Sequence, residues 1–230
     1  MKKRVFLDFL VPIAILSLIT LPFWVTDADT AFSRLFYTVG KGWHYGDANP
    51  WRFLYNYGNV PALVLAGCGL LVLLLGFIVP RIAELQRIGL FLVLFLLLGP
   101  GLLVNTVFKD HWGRPRPADI TEFGGADRFL PFWVKGEAGH GKSFPSGHAS
   151  VGFFLFAPFF FLRGKANKKA FPFLTLGILY GLLLGLGRII QGGHFLSDVL
   201  WAGGFTYLTG LILSYIFHFH QDRWKPRELG

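Results

Sequence analysis

Long apolar runs separated by short basic or aromatic loops set the plan of this chain. Six of them approach the roughly 20 residues a helix needs to cross a bilayer's hydrocarbon core. They run from Phe6 to Val25, Val60 to Val79, Gly89 to Phe108, His148 to Leu162, Phe171 to Gly187 and Phe195 to Phe217. The fourth is short for a full span. Either it starts earlier, inside the stretch from Ser143 to His148, or it sits where the bilayer is locally thinned. The loop from Thr26 to Asn59 carries Phe32, Phe36, Tyr37, Trp43, Tyr45, Trp51, Phe53, Tyr55 and Tyr57. Trp and Tyr favour the head-group level, so this loop predicts a short interfacial helix, serving either as an anchoring belt or as a grip on a lipid. The pattern as a whole predicts an all-α polytopic membrane protein with six transmembrane helices, an interfacial helix and one domain over residues 1–230.

Composition agrees. Of the 230 residues, 53% are hydrophobic and 15% charged, where a soluble domain carries about 25% charged. The net charge of +9 does not point to nucleic acid, because many of the basic residues lie in short loops beside apolar runs, where they set topology and meet anionic lipids. One set of flanks holds Lys2, Lys3, Arg4, Arg81, Arg87, Arg163, Lys165, Lys168, Lys169, Arg223, Lys225 and Arg227. Most cations on the other flanks fall between Lys109 and Lys142, where chemistry has its own use for them. The positive-inside rule then places both termini in the cytoplasm. The first run is long for a signal peptide and contains Asp8 and Pro22, which predicts an uncleaved helix. The single cysteine, Cys68, excludes an intrachain disulfide and reads as a small packing residue.

That topology sends three polar clusters to one face. Lys109 to Pro117 follows the third span, Pro145-Ser146-Gly147-His148 opens the fourth, and Arg188, His194 and Asp198 bridge the fifth and sixth. His194 and Asp198 are four apart and share a helix face, so the carboxylate can fix the imidazole tautomer. The alternative is an interfacial histidine beside a capping residue. Gly192 and Gly193 leave room for a close approach at the helix start. Pro-Ser-Gly-His reads as a turn into a helix N-terminus, suited to an anion or merely a cap with Ser146 as N-cap. Lys109, Arg114 and Arg116 suit phosphate oxygens, or lipid head groups alone.

Together these residues resemble the type 2 phosphatidic acid phosphatase (PAP2) family, whose pattern is Lys-x6-Arg-Pro, Pro-Ser-Gly-His and Ser-Arg-x5-His-x3-Asp. Lys109 with Arg116-Pro117, Pro145 to His148, and Arg188, His194 and Asp198 match it in order, with Gly187 standing where the family has Ser. The resemblance implies a metal-independent, cofactor-free lipid phosphatase. His194 would be the nucleophile forming a phosphohistidine, Asp198 its orienting carboxylate, and His148 the acid for the leaving oxygen. Lys109, Arg116, Arg188, Ser146 and the Gly147 N–H would bind the phosphate. Arg114, His111 and Lys142 are secondary candidates that widen the positive funnel. His44 and His140 read as solvent-facing, and His218 and His220 as inner-face residues without a part in the site.

The implied partners are the membrane and a phospholipid or other phosphorylated lipid, with no nucleic acid. The implied location is a bacterial inner (plasma) membrane, crossed several times, with the site facing the periplasm or exterior. Candidate substrates are phosphatidic acid, phosphatidylglycerol phosphate, undecaprenyl pyrophosphate and lipid A. Phe123-Gly124-Gly125 followed by Ser143 to Ser146 is similar to lipid A phosphatases of the family. A lipid-to-lipid phosphotransferase and a non-catalytic lipid-binding protein are the alternatives.

Overall fold

A computed structural model describes residues 2–164 and 167–219. Lys165, His220, Asp222, Arg223, Lys225, Arg227 and Glu228 lie outside the described residues, as do the side chains of Lys2, Lys3 and Arg4. The helices, in order, are α1 (Lys2–Thr20), α2 (Ala28–Arg34), α3 (Trp51–Tyr57), α4 (Val60–Leu75), α5 (Gln86–Leu96), α6 (Gly147–Phe153), α7 (Asn167–Ile190) and α8 (Leu196–Ile216), with shorter turns between them. Among the described residues, pairing of extended chain is limited to two isolated bridges.

Among the described residues, five helical stretches are long and apolar enough to cross a membrane: Val5–Val25, Trp51–Leu75, Pro80–Asp119, Lys168–Ile190 and Leu196–Ile216. The expected fourth span is a shorter apolar helix, Gly147–Leu162. It lies inside the bundle. α6 packs against α7, α8 and the π-helical stretch Leu97–Phe108, and Phe153, Phe154, Phe156, Phe159 and Phe160 along this segment are buried. The backbones of α6 and α7 come close at Gly152 and Gly181: a Cβ on Gly152 would stand 2.9 Å from the Gly181 Cα. Small residues allow such approaches where lipid removes the hydrophobic drive between helices.

The outer helices look different. α1 packs on α8 and leaves Phe6, Leu10, Val11, Ile15 and Leu18 exposed on its outward faces, as expected of a lipid-contacting span. Cys68 is also exposed, so it does not serve as the packing residue the sequence suggested. Asp8 accepts from Arg163 Nη2 at 2.9 Å and from the Tyr215 hydroxyl at 2.6 Å, a paired polar contact at the end of the bundle away from the three clusters.

The third span changes register. α5 continues into twelve π-helical residues, Leu97–Phe108, and a last turn, Lys109–Trp112. Pro100 inside it has no N–H to give the ladder, and Asn105 Nδ2 donates to the Pro100 carbonyl at 2.7 Å. π-Helical segments often mark functional sites, and this one delivers Lys109.

The loop of residues 26–59 does not form one surface helix. It folds as α2, the short helix His44–Asp47 and α3, and α3 packs against α7. Residues from it reach into the polar end of the bundle.

Candidate active site

Four helix ends converge: the end of the third span, the start of α6, the end of α7 and the start of α8. All three sequence clusters meet there.

His194 is buried just ahead of α8. Its Nδ1 lies 2.6 Å from the Ser143 carbonyl oxygen. A carbonyl can only accept, so Nδ1 carries the proton and the lone pair resides on Nε2. Burial, with Arg188 and Lys109 nearby, pushes this imidazole down from 6.5 to about 4, against the pull of Asp198. At neutral pH the ring is an uncharged base.

Asp198 does not make the direct bond the His-x3-Asp spacing suggests. Its Oδ2 is 3.7 Å from His194 Nδ1, beyond hydrogen-bond range. The carboxylate is drawn back to its own helix start, where Oδ2 accepts from the Phe195 N–H at 2.7 Å and from Ser143 Oγ at 2.6 Å. Ser143 therefore couples the two residues, with its carbonyl on the imidazole and its hydroxyl on the carboxylate.

Arg114 departs further from expectation. It is fully buried and cannot widen a funnel for substrate. Its Nη1 donates to Asp198 Oδ1 and to Ser197 Oγ, its Nη2 to Asp29 Oδ2 at 2.8 Å, and its Nε to the Leu130 carbonyl at 2.8 Å. The planar fork of arginine suits such a hub. Asp29 also accepts from the Ser197 N–H at 2.9 Å and from Ser197 Oγ at 2.5 Å. Two carboxylates thus balance one buried guanidinium.

Arg188, on the last turn of α7, points toward the histidines. Its Nη1 bonds Gln191 Oε1, its guanidinium carbon lies 4.7 Å from the Tyr55 ring centroid, and its Nε is buried without a partner. An unpaired buried donor on a cation is suited to an anion. The Tyr55 ring also stacks on His148, 5.0 Å away at 18°. Lys109 feels both Arg116 and Arg188, and Lys109 with Arg188 acts on His148 as well as His194. The predicted cations and histidines form one constellation.

Ser146 and Gly147 are buried. Ser146 is the N-cap of α6, its Oγ accepting from the Ala149 N–H at 3.4 Å. A Cβ on Gly147 would meet Asn105 Oδ1 at 2.3 Å. His111 is exposed and turns Nδ1 back to the Thr106 and Val107 carbonyls, 3.1 Å from each. Lys142 pairs with Asp110 at 3.0 Å in an exposed bridge. Neither reaches the histidines. His140 is exposed and bonded to Asp127, which raises its pKa. His44 is half-buried rather than solvent-facing, with its Nδ1 enclosed and its ring against Tyr45.

The glycines before His194 also differ from expectation. A Cβ on Gly192, whose φ is +65°, would strike the Trp43 indole at 2.5 Å, and one on Gly193 would meet Arg188 Nη2 at 2.2 Å. The room they leave is taken by protein side chains. Gly187 faces Trp51 Cε3 at 3.4 Å from a would-be Cβ, so α3 occupies the side where a serine hydroxyl would stand.

Sequence reasoning missed Asp29, Ser143, Ser197 and Tyr55. Asp29 and Tyr55 sit in an aromatic-rich loop with no motif, where an acid reads as solvated and a tyrosine as a membrane anchor.

Fold and site together define a multi-pass helical membrane protein with two histidines in a cationic nest at one end of its bundle. The PAP2 superfamily model matches residues 89–224, and the chain belongs to that family. It is 46% identical over 120 residues to the lipid A 4'-phosphatase of Francisella tularensis subsp. novicida (strain U112), covering 52% of this chain and 53% of that protein. It is 36% identical over 121 residues to the lipid A 4'-phosphatase of Rhizobium leguminosarum, covering 51% and 50%. It is 29% identical over 142 residues to phosphatidylglycerophosphatase B of Bacillus subtilis (strain 168), covering 58% and 59%. The matched region spans about half the length of each relative. No solved structure matches the chain. Asp29 and Tyr55 precede the family match, which begins at residue 89.

Proposed function

We propose that the protein is a phosphatase of membrane lipids acting through a phosphohistidine on His194. The observation that carries this reading is the state of that residue: a buried, neutral imidazole with Nδ1–H tied to the Ser143 carbonyl and Nε2 left as a base beside Lys109 and Arg188. A merely structural histidine gains nothing from a ring of cations. A phosphate monoester does, because such cations stabilise charge spread over its equatorial oxygens.

In this reading Lys109, Arg116 and Arg188 hold the phosphoryl oxygens, with the Arg188 Nε proton as a ready donor. His194 Nε2 forms the N–P bond as the bond from phosphorus to the leaving oxygen breaks, and His148, taking up a proton as the anionic phosphate binds among the cations, gives it to that oxygen. Water, losing a proton to His148, then cleaves the N–P bond and releases phosphate. Asp198 acts at one remove, through Ser143, keeping the carbonyl that fixes the His194 tautomer in place.

The relatives' names favour a lipid A-like substrate over the other candidates. The basic flanks favour cytoplasmic termini with the site on the outer face of a bacterial inner membrane. The test is phosphate release from lipid A, phosphatidylglycerol phosphate, phosphatidic acid and undecaprenyl pyrophosphate by purified protein in EDTA. The reading expects release from at least one of them and its loss in His194→Ala; unchanged release in that variant overturns it. Phosphate appearing only on an added acceptor lipid would favour a transferase.

A further inference from the structure

Arg114 and Arg188 both stand at the polar end of the bundle, and their partners differ in charge. Arg114 is fully buried between two carboxylates, Asp29 and Asp198, so its charge is balanced inside the protein. Arg188 pairs with no carboxylate among the described residues. Its Nη1 donates instead to Oε1 of Gln191, a neutral amide three residues further on. The Tyr55 ring lies 4.7 Å from its guanidinium carbon, Gly193 backs its Nη2, and its Nε is buried without a partner. The charged side chains within its electrostatic range include Lys109 and Arg116, cations like itself.

Gln191 is itself held on both sides. It sits just past the end of α7, where its N–H still donates to the Gly187 carbonyl at 3.2 Å, so its side chain shares a helix face with Arg188. Its Nε2 donates to the Gly46 carbonyl at 3.1 Å. Gly46 is buried, and a Cβ there would stand 2.6 Å from Gln191 Cγ. The two bonds fix the direction of the amide. Reversed, its nitrogen would face a guanidinium N–H and its oxygen the Gly46 carbonyl, donor against donor and acceptor against acceptor. A carboxylate at this position could keep only one of the two bonds.

We propose that Gln191 is a positioning residue that holds Arg188 in place for the phosphate while leaving its positive charge uncompensated. This rests on the phosphatase reading above and adds a residue that acts through Arg188. A carboxylate partner would hold the guanidinium at least as firmly, but it would cancel the charge and repel the phosphate. A neutral amide supplies the anchoring bond without either effect. The same end of the bundle thus uses its two arginines differently. Arg114, with two carboxylates, ties the chain together, and Arg188, with an amide, keeps its charge and its buried Nε donor for an anion.

The test compares wild type, Gln191→Glu and Gln191→Met as full-length protein in detergent. Three quantities are read: the Kd for inorganic phosphate by calorimetry, kcat/KM on a phosphorylated lipid, and the melting temperature. Methionine keeps the length of the side chain and loses both bonds without adding charge. Gln191→Glu is expected to weaken phosphate binding and lower kcat/KM by about 10- to 100-fold, and Gln191→Met by about fivefold. The melting temperature of Gln191→Glu should stay near wild type, because an ion pair to Arg188 offsets the lost bond to Gly46. Phosphate binding as in wild type by both variants overturns the proposal. So does a loss in Gln191→Glu no larger than in Gln191→Met, which would show that neutrality is irrelevant. A melting temperature that falls in step with affinity in Gln191→Glu also overturns it, by making the residue structural. Wild type that binds phosphate but releases none from any lipid overturns the phosphatase reading, and the Kd values then decide the role of Gln191 by themselves. Wild type that binds no phosphate overturns both.

Discussion

Asp29 accepts a hydrogen bond from Arg114 at 2.8 Å across 85 positions of sequence. The same guanidinium holds Asp198 with its other terminal nitrogen, so the loop of residues 26–59 is tied to the carboxylate beside the proposed nucleophile. Arg114 is fully buried, and a buried charge that loses a partner is costly, about 3–5 kcal/mol. Asp29→Ala is accordingly expected to destabilise the protein by that order and to lower kcat, because Arg114 and Asp198 must rearrange. Thermal unfolding in detergent and phosphate release measure the two effects. An unchanged melting temperature would show that Arg114 is balanced without Asp29.

Ser143→Ala separates its two roles. The carbonyl that fixes His194 stays, while the hydroxyl bond to Asp198 at 2.6 Å is lost. One such bond is worth about 1–1.5 kcal/mol, so kcat should fall about tenfold with little change in KM. Asp198→Ala should cost far more, since it also strands Arg114. An unchanged kcat in Ser143→Ala beside a large loss in Asp198→Ala would mean that Asp198 acts on His194 directly, despite the 3.7 Å separation.

Tyr55 lies against both His148 and Arg188. Tyr55→Phe keeps the ring and should retain activity within about threefold. Tyr55→Ala removes a cation–π contact worth about 0.5–2 kcal/mol and the stack on His148, so it should lower kcat/KM by about tenfold or more. Steady-state kinetics on one substrate compares the pair, and equal loss in both would move the role from the ring to the hydroxyl.

The pH dependence follows from His194. Its folded value of about 4 lies below the ordinary 6.5, so between those values an unfolded chain binds a proton that the native protein does not. Acidification across that window therefore favours unfolding. The stabilising contribution is fully present above pH 6.5 and is lost as pH falls to about 4. The melting temperature of wild type should drop more steeply between pH 6.5 and 4 than that of His194→Asn. Parallel slopes would show that the imidazole titrates normally in the native state.

Apolar run length made the spans legible, and motif spacing made the two histidines and the main cations legible. Both signals are local. The depth of Arg114 is not local: its environment depends on Asp29, Leu130, Ser197 and Asp198, residues from three separate stretches. An arginine in a basic loop reads as a surface charge until those partners are known. The fourth run is too short to count among the spanning helices, and length alone does not reveal that its phenylalanines are buried inside the bundle. Tyr55 reads as a membrane anchor for the same reason: the sequence does not show that α3 packs on α7 beside His148.

The central claim is that His194 carries the phosphoryl group, and the most direct measurement is to trap it. Protein mixed with 32P-labelled lipid and quenched within milliseconds should hold label that is stable to base and released by acid. Mass spectrometry should place it on His194, and His194→Ala should hold none. Label on another residue, or full-rate hydrolysis by His194→Ala, would contradict the account.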